Sequence, residues 1–429
     1  MSDPIWEAAA RLRPRGAALA RRILAFAGIP FLSLVAPFIF LPVLARLASV
    51  DVWVAIAVGQ SLGGLAALVA GLGYTTLAPP MVARAGRARR RRILATSLHA
   101  RFPLWLVSAA VVAVVAGIVA PDSARVEAAT MAVAMSLAAL APTWFWIGSG
   151  RARPIVMLEV MPRMAATLAA TGILLLDGSP LWYPVLLVVA MAVAPLVVYT
   201  RYARDEIRVV DRDDVRTVWR EHPPALVAEV AGGLYNILAV TIVSAVTPVA
   251  AAARFVAGDK AYRIGQYTVS ALGNALQGWV VERDEERFVA RFRLAVALHV
   301  LLGATGLVLM ATLGAWATTL IFGDEVAIDG STATGFGVAF LGVALGTVFG
   351  RIGLIAMGAR TAYMACVLAA SAAGVAGLVV GGLAAGAAGA AWGLGIVELA
   401  SGLAQALALA TVWRRRARAG ALLDAPKDA

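Results

Sequence analysis

Apolar residues in this chain arrive in blocks of roughly 20, the length of helix that crosses the ~30 Å hydrocarbon core of a bilayer. The blocks fall at 23–46, 53–78, 102–120, 127–148, 154–176, 181–200, 224–247, 254–281, 293–319, 332–357, 361–384 and 389–412. Inside lipid only a helix satisfies every backbone donor and acceptor within its own segment, so an all-α polytopic membrane protein of about twelve transmembrane helices is close to forced. Hydrophobic residues make up 61% of the chain and charged residues 14%, too little charge to cover a soluble domain of this size. No connector is long enough for such a domain; the longest is 201–223.

Charge fixes the expected orientation. With the N-terminus placed inside, the inside segments 1–22, 79–101, 149–153, 201–223, 282–293, 358–360 and 413–429 carry 30 of the 37 Lys and Arg residues. That is the positive-inside pattern, and it places both termini in the cytoplasm. A net charge of +12 spread this way reads as topology and contact with anionic membrane lipids, not nucleic acid. The run Arg89-Arg90-Arg91-Arg92 has a sharper second reading, a landing site for a pyrophosphate-bearing lipid at the cytoplasmic mouth. The apolar run after the basic first 22 residues is long enough to span, so no cleaved leader is expected. Cys366 is the sole cysteine and the three histidines are scattered, so no disulfide, metal or cofactor is expected.

The connector 201–223 splits the blocks six and six. The expected organisation is a basic N-terminus (1–22), an N-terminal six-helix bundle (23–200), the cytoplasmic connector, a C-terminal six-helix bundle (224–412) and a basic tail (413–429). Two halves in the same orientation are parallel repeats. A short echo accompanies the split: Trp53 to Gln60 opens the second block of the first half, and Ala253 to Asp259 the second block of the other. Glycines across 374–395 let helices approach closely, and Pro30, Pro37 and Pro42 mark a bent first helix.

The eighth block carries polar side chains where they are expensive. Asp259, Arg263, Gln266, Ser270, Asn274 and Gln277 step by three or four, with Lys260 beside the first. That is one helix face, and it runs about 27 Å at 1.5 Å per residue. It reads either as a seam that joins helices, with Asp259 and Arg263 paired, or as the wall of a hydrophilic pathway; its length favours the pathway. Glu159 and Arg163 read as a local pair. Glu229, Asn236, Arg351 and Glu398 are further intramembrane polar points, with Glu229 a cavity or proton site or the partner of Arg351.

There is no phosphate-binding loop for ATP. Asp324, Glu325 and Asp329 read as a short solvated loop. The chain is therefore expected not to be an enzyme.

Phe31-Leu32-Ser33-Leu34-Val35-Ala36-Pro37, Phe40-Leu41-Pro42-Val43-Leu44-Ala45-Arg46, Trp53, Gly59-Gln60-Ser61-Leu62, Gly71-Leu72-Gly73-Tyr74 and Val82-Ala83-Arg84 resemble the opening of bacterial polysaccharide-repeat (Wzx-type) flippases. These belong to the multidrug/oligosaccharidyl-lipid/polysaccharide (MOP) flippase superfamily. Asp259-Lys260-Ala261-Tyr262-Arg263 and Ala275-Leu276-Gln277-Gly278-Trp279-Val280 resemble their eighth helix. The resemblance implies a V-shaped pair of six-helix bundles in the bacterial inner membrane. It implies a polyprenyl-diphosphate-linked oligosaccharide moved from the cytoplasmic to the periplasmic leaflet for surface polysaccharide biosynthesis. Lys260 and Arg263 would meet the pyrophosphate or acidic sugars, and Gln60, Asn274 and Gln277 the sugar hydroxyls. The polymerase that lengthens the glycan is a candidate partner. A multidrug or organic-cation antiporter of the same superfamily stays open, and so does a polysaccharide polymerase or ligase.

Overall fold

In a computed structural model of the chain, residues 38–207, 210–280 and 285–419 are described. The basic N-terminus, Pro30, Pro37 and the tail beyond 419 lie outside them, as does the side chain of Glu229. The described residues are helical nearly throughout. In order they form α1 (Phe38–Leu47), α2 (Val50–Gly71), α3 (Tyr74–Arg84), α4 (Arg87–Val119), α5 (Asp122–Gly148), α6 (Arg153–Leu175) and α7 (Trp182–Tyr202). There follow α8 (Arg212–Glu221), α9 (Pro223–Val246), α10 (Val249–Val280), α11 (Glu285–Phe322), α12 (Gly330–Leu354) and α13 (Arg360–Ala419). Among the described residues, eight helices are long and apolar enough to cross a membrane.

Several boundaries depart from the sequence reading for local reasons. The block 53–78 is cut where Leu72 and Gly73 take left-handed backbone, φ 49° and 67°. Gly73 tolerates this because it lacks a Cβ. Helix α4 begins fifteen residues before its apolar block, because the arginine run is itself helical. The last two blocks are one run, α13, broken at Ala385 and Gly386; Gly386 has φ 59°, ψ −132°. The connector holds a real helix: the Asp211 carboxylate accepts from the Asp213 amide at 3.1 Å and starts α8.

The chain separates into two compact units: residues through Ala48 with Gly63–Ala116 and Val126–Glu229, and Ser49–Leu62 with Gly117–Arg125 and everything from Val230 onward. In unit one the core gathers Tyr74, Ala78 and Val82 of α3, Leu94 of α4, Trp144 to Trp146 of α5, Val198 and Tyr199 of α7 and Val218 of α8. His222 Nδ1 hydrogen-bonds the Leu72 carbonyl at 2.9 Å, which ties the end of α8 to the turn after α2.

Unit two is built on close backbone approach. Lipid is as apolar as leucine, so helices associate by packing, and small residues permit it. A Cβ on Gly389 would lie 2.0 Å from the Gly381 carbonyl, and one on Gly342 2.4 Å from the Glu398–Leu399 peptide. The two limbs of α13 therefore touch through glycines, and α12 lies against the second limb the same way. Phe336 and Phe340 of α12 put their rings where Cβ atoms of Gly258 and Gly265 would stand, at 2.3 and 2.7 Å. This seats one face of α10 on α12 and turns its polar face elsewhere.

Candidate functional site

The polar face of α10 is a graded surface. Asp259 is buried, Lys260, Arg263, Gln266 and Gln277 are half-buried, and Ser270 and Asn274 are exposed. Its buried end is tied to α2, α9 and the second limb of α13, all within unit two. The start of α2 runs alongside the start of α10: Trp53 Nε1 donates to the Ala253 carbonyl at 3.1 Å, and seven residues on Lys260 Nζ donates to Gln60 Oε1 at 2.6 Å. Both contacts join residues 200 apart, so the helices are parallel and in register there. The segments that echo each other in sequence thus lie side by side.

Arg263 is held at both ends of its fork. Nε donates to Asp259 Oδ2 at 2.7 Å and Nη2 to the Asn236 carbonyl at 2.5 Å. The Asp259 side chain is 2% exposed and that of Arg263 32%, so the guanidinium bridges a dry interior and an open side. The second Asp259 oxygen, Oδ1, is buried without a partner. The Asn236 amide donates to Glu398 Oε1 at 3.1 Å, and the Tyr235 hydroxyl donates to the same oxygen. Gln266 donates to the Tyr262 hydroxyl at 2.8 Å. Gln60, Asn236, Asp259, Lys260, Arg263 and Gln266 therefore belong to one connected neighbourhood.

Two site residues stand apart. Arg351 Nη2 donates to Asn274 Oδ1 at 2.5 Å, an exposed contact. This gives Arg351 an amide partner on α10. It lies on an eight-residue π-helical stretch, Thr347–Leu354, the kind of irregularity frequent at functional sites.

Glu398 and Tyr235 join the network without having been chosen as site residues. An acid in an apolar block was the available signal, but its partners lie 163 and 162 positions away. Glu159 and Arg163 depart from the expected pair. Arg163 Nε bonds the Glu159 carbonyl at 3.1 Å, while the Glu159 carboxylate accepts from Thr143 at 2.6 Å. The cause is local: Val156–Val160 is a π turn, which takes the two side chains out of α-helical i,i+4 register.

Arg101 was missed altogether. Counted from sequence as an inside-loop cation, it is 1% exposed in the core of unit one. It donates to the Ala139 carbonyl at 2.5 Å and the Tyr199 hydroxyl at 2.6 Å. Its guanidinium lies 4.8 Å from the Tyr74 ring centre and 5.4 Å from that of Trp144. The arginine run is also more divided than its sequence implies. Arg90 bonds the Val82 and Ala83 carbonyls that end α3, Arg91 stands 3.7 Å from Glu206, and Arg92 pairs with Asp214 at 2.7 Å. Three of the four fasten this end of unit one together.

What this arrangement offers chemically is binding. Lys260 has a neutral amide as its partner, Arg263 keeps an exposed edge, and amide groups surround both. That set suits an anion with hydroxyl groups nearby. Among the described residues no group of three or more His, Cys, Asp or Glu is placed to hold a metal.

No family model matches the chain, and no curated protein matches it. Solved structures do. The lipid II flippase MurJ in an inward closed conformation superimposes with a TM-score of 0.67 at 11% identity, over 90% of this chain and 87% of that one. A multidrug resistance MATE family transporter of the MOP superfamily, inward-facing, matches with a TM-score of 0.64 at 15% identity, over 89% of this chain and 95% of that one. A MOP superfamily transporter from Pyrococcus furiosus, described as having a binding pocket of reversed polarity, matches at 0.53 and 15% identity, over 90% and 95%. The chain is a multi-pass helical membrane protein with the fold of MOP superfamily transporters and flippases.

Proposed function

We propose that this chain is a flippase for a polyprenyl-diphosphate-linked oligosaccharide repeat unit, working by alternating access in the bacterial inner membrane. The observation that carries the proposal is the half-buried cation pair on α10. Lys260 is held by the Gln60 amide and Arg263 by Asp259 and a backbone carbonyl. A diphosphate is recognised by such donors, and sugar hydroxyls by the neighbouring amides. A cationic drug meets the wrong charge there, which argues against the antiporter. The fold shared with a lipid II flippase supports a lipid-linked cargo.

In this reading about twelve helices, six on each side of the connector, cross the membrane, with both termini cytoplasmic. The cytoplasmic surface gathers anionic lipid, and the polymerase that lengthens the glycan is the expected partner. The site comprises Gln60, Glu229, Asn236, Asp259, Lys260, Arg263, Gln266, Asn274, Gln277 and Arg351. Glu398 and Tyr235 join it through Asn236.

Deleting the gene tests this. The deletion strain is expected to lose a surface polysaccharide and to accumulate the lipid-linked repeat on the cytoplasmic leaflet. The intact gene restores both, and a Lys260→Met, Arg263→Gln double variant present at normal level in the membrane restores neither. Normal surface glycan in the deletion strain would sink the proposal. Full rescue by the double variant would remove the cation pair from it.

A further inference from the structure

Of the cavities that open at the end of unit one holding the arginine run, the two larger ones differ in charge balance. One, of about 1030 Å³, has Arg89 and Arg92 on its wall together with Glu206, Asp214 and Glu221, so its cations face acids. The other, of about 530 Å³, is walled by Arg87, Arg90, Arg91, Arg151 and Arg201 around Trp146, and none of its lining residues is acidic. Arg91 stands 3.7 Å from Glu206, and Arg90 is turned to two backbone carbonyls. Five guanidinium groups around one hollow repel one another, and an anion among them relieves that repulsion. Trp146 on the same wall is 1% exposed, so its ring closes the hollow from behind.

We propose that this arginine basket binds a phosphate group, presented by an anionic phospholipid of the surrounding leaflet. The guanidinium fork matches phosphate oxygens in pairs. A volume of this size admits a headgroup. The source follows from place. The lining residues sit at the ends of α4, α5 and α7, three of the helices long and apolar enough to cross a membrane. Tyr202 on its wall is 40% exposed and Ile147, next to Trp146, is 42% exposed. An acyl chain leaving the basket would run along them. The lipid is a bound structural or regulatory ligand of unit one, separate from the cargo site on α10.

The test uses the full-length protein in nanodiscs of phosphatidylcholine with a minor fraction of phosphatidic acid. The retained lipid is read by native mass spectrometry after release. Wild type is expected to hold phosphatidic acid in preference to phosphatidylcholine. Losing three charged donors is expected to lower that preference about tenfold or more in an Arg87→Gln, Arg151→Gln, Arg201→Gln variant. These three side chains are exposed, so the fold survives their loss; a thermal melt checks this. Arg254→Gln, at an exposed position of unit two outside the cargo site, is expected to leave retention of both lipids unchanged. Equal retention of both lipids by wild type, or no loss in the triple variant, would overturn the proposal. So would binding of inorganic phosphate unaccompanied by any preference for phosphatidic acid. Each outcome is independent of whether the protein flips a glycolipid.

Discussion

Arg101 in unit one and Arg263 in unit two are both arginines inside the packed protein, and they are settled in opposite ways. Arg101 is closed off, 1% exposed, and its donors go to a carbonyl and hydroxyls between two aromatic faces. Among the described residues no acid touches it. Arg263 keeps about a third of its side chain open and is anchored by a buried carboxylate whose other oxygen has no partner. Neutral acceptors and ring faces make a site that is complete without a visitor. A carboxylate on one side and open space on the other hold a cation ready for something else. In the proposed reading Arg101 is a fastener and Arg263 a binding group.

The strongest way to break this comparison is at Arg263. Arg263→Gln leaves Asp259 buried without its cation, a loss of roughly 3–5 kcal/mol, and is expected to abolish rescue of the deletion strain. Adding Asp259→Asn removes the stranded charge. The double variant is expected to regain most of the lost stability in a detergent melt and still fail to transport. If the double variant restores surface glycan, Arg263 is a fastener too and the contrast collapses.

Arg101→Met comes next. It keeps the length of the side chain, strips the Ala139 carbonyl of its Arg101 donor and leaves the Tyr199 hydroxyl only the Ser97 hydroxyl, a cost of roughly 2–4 kcal/mol. Here stability and transport are expected to fall together. Raising the amount of folded protein in the membrane is expected to return transport in proportion. A variant that folds at wild-type level and cannot transport would show that Arg101 does more than hold α4 to its neighbours.

How far the sequence foretold this depends on which force acts at each residue. The bilayer demands about 20 apolar residues per crossing, so the helices were legible in the blocks. The face of α10 was legible because i,i+4 spacing is set by the helix itself, and the Asp259–Arg263 pair follows from it. The break at Gly386 falls between the last two blocks, where the chain has nothing but small residues. Glu398 could be seen as an acid in an apolar block, but not as the acceptor of Tyr235 and Asn236. That contact depends on packing between helices more than 160 residues apart. Arg101 was illegible for a different reason. It closes a basic segment that also sets topology, and only the tertiary fold wraps α4 with Tyr74, Trp144 and Tyr199. Counting charges treats all arginines of a loop alike, whereas Arg90, Arg91, Arg92 and Arg101 have four separate surroundings.

A finer probe of the fastener is Tyr199→Phe. It deletes the charge-assisted hydrogen bond that Arg101 donates at 2.6 Å and leaves the aromatic packing. The expected loss is about 1.5 kcal/mol, with transport per folded molecule unchanged. A loss as large as that of Arg101→Met would mean that Tyr199, not the ring pair Tyr74 and Trp144, carries the site.

The smallest effect is expected where an arginine is neither closed off nor anchored by an acid. Arg351 meets Asn274 in an exposed hydrogen bond at 2.5 Å, so its solvation changes little when the partner is lost. Asn274→Ala is expected to cost under about 0.5 kcal/mol. Its effect on transport is the informative part. Asn274 lies at the open end of the α10 face, fifteen residues beyond Asp259, where a passing glycan would meet it before or after the cation pair. A polar wall that guides sugar hydroxyls predicts a slower flux with normal stability. If Asn274→Ala leaves both untouched, the working face of α10 ends near Gln266, and the cation pair with its amide neighbours is the whole of the cargo site on this helix.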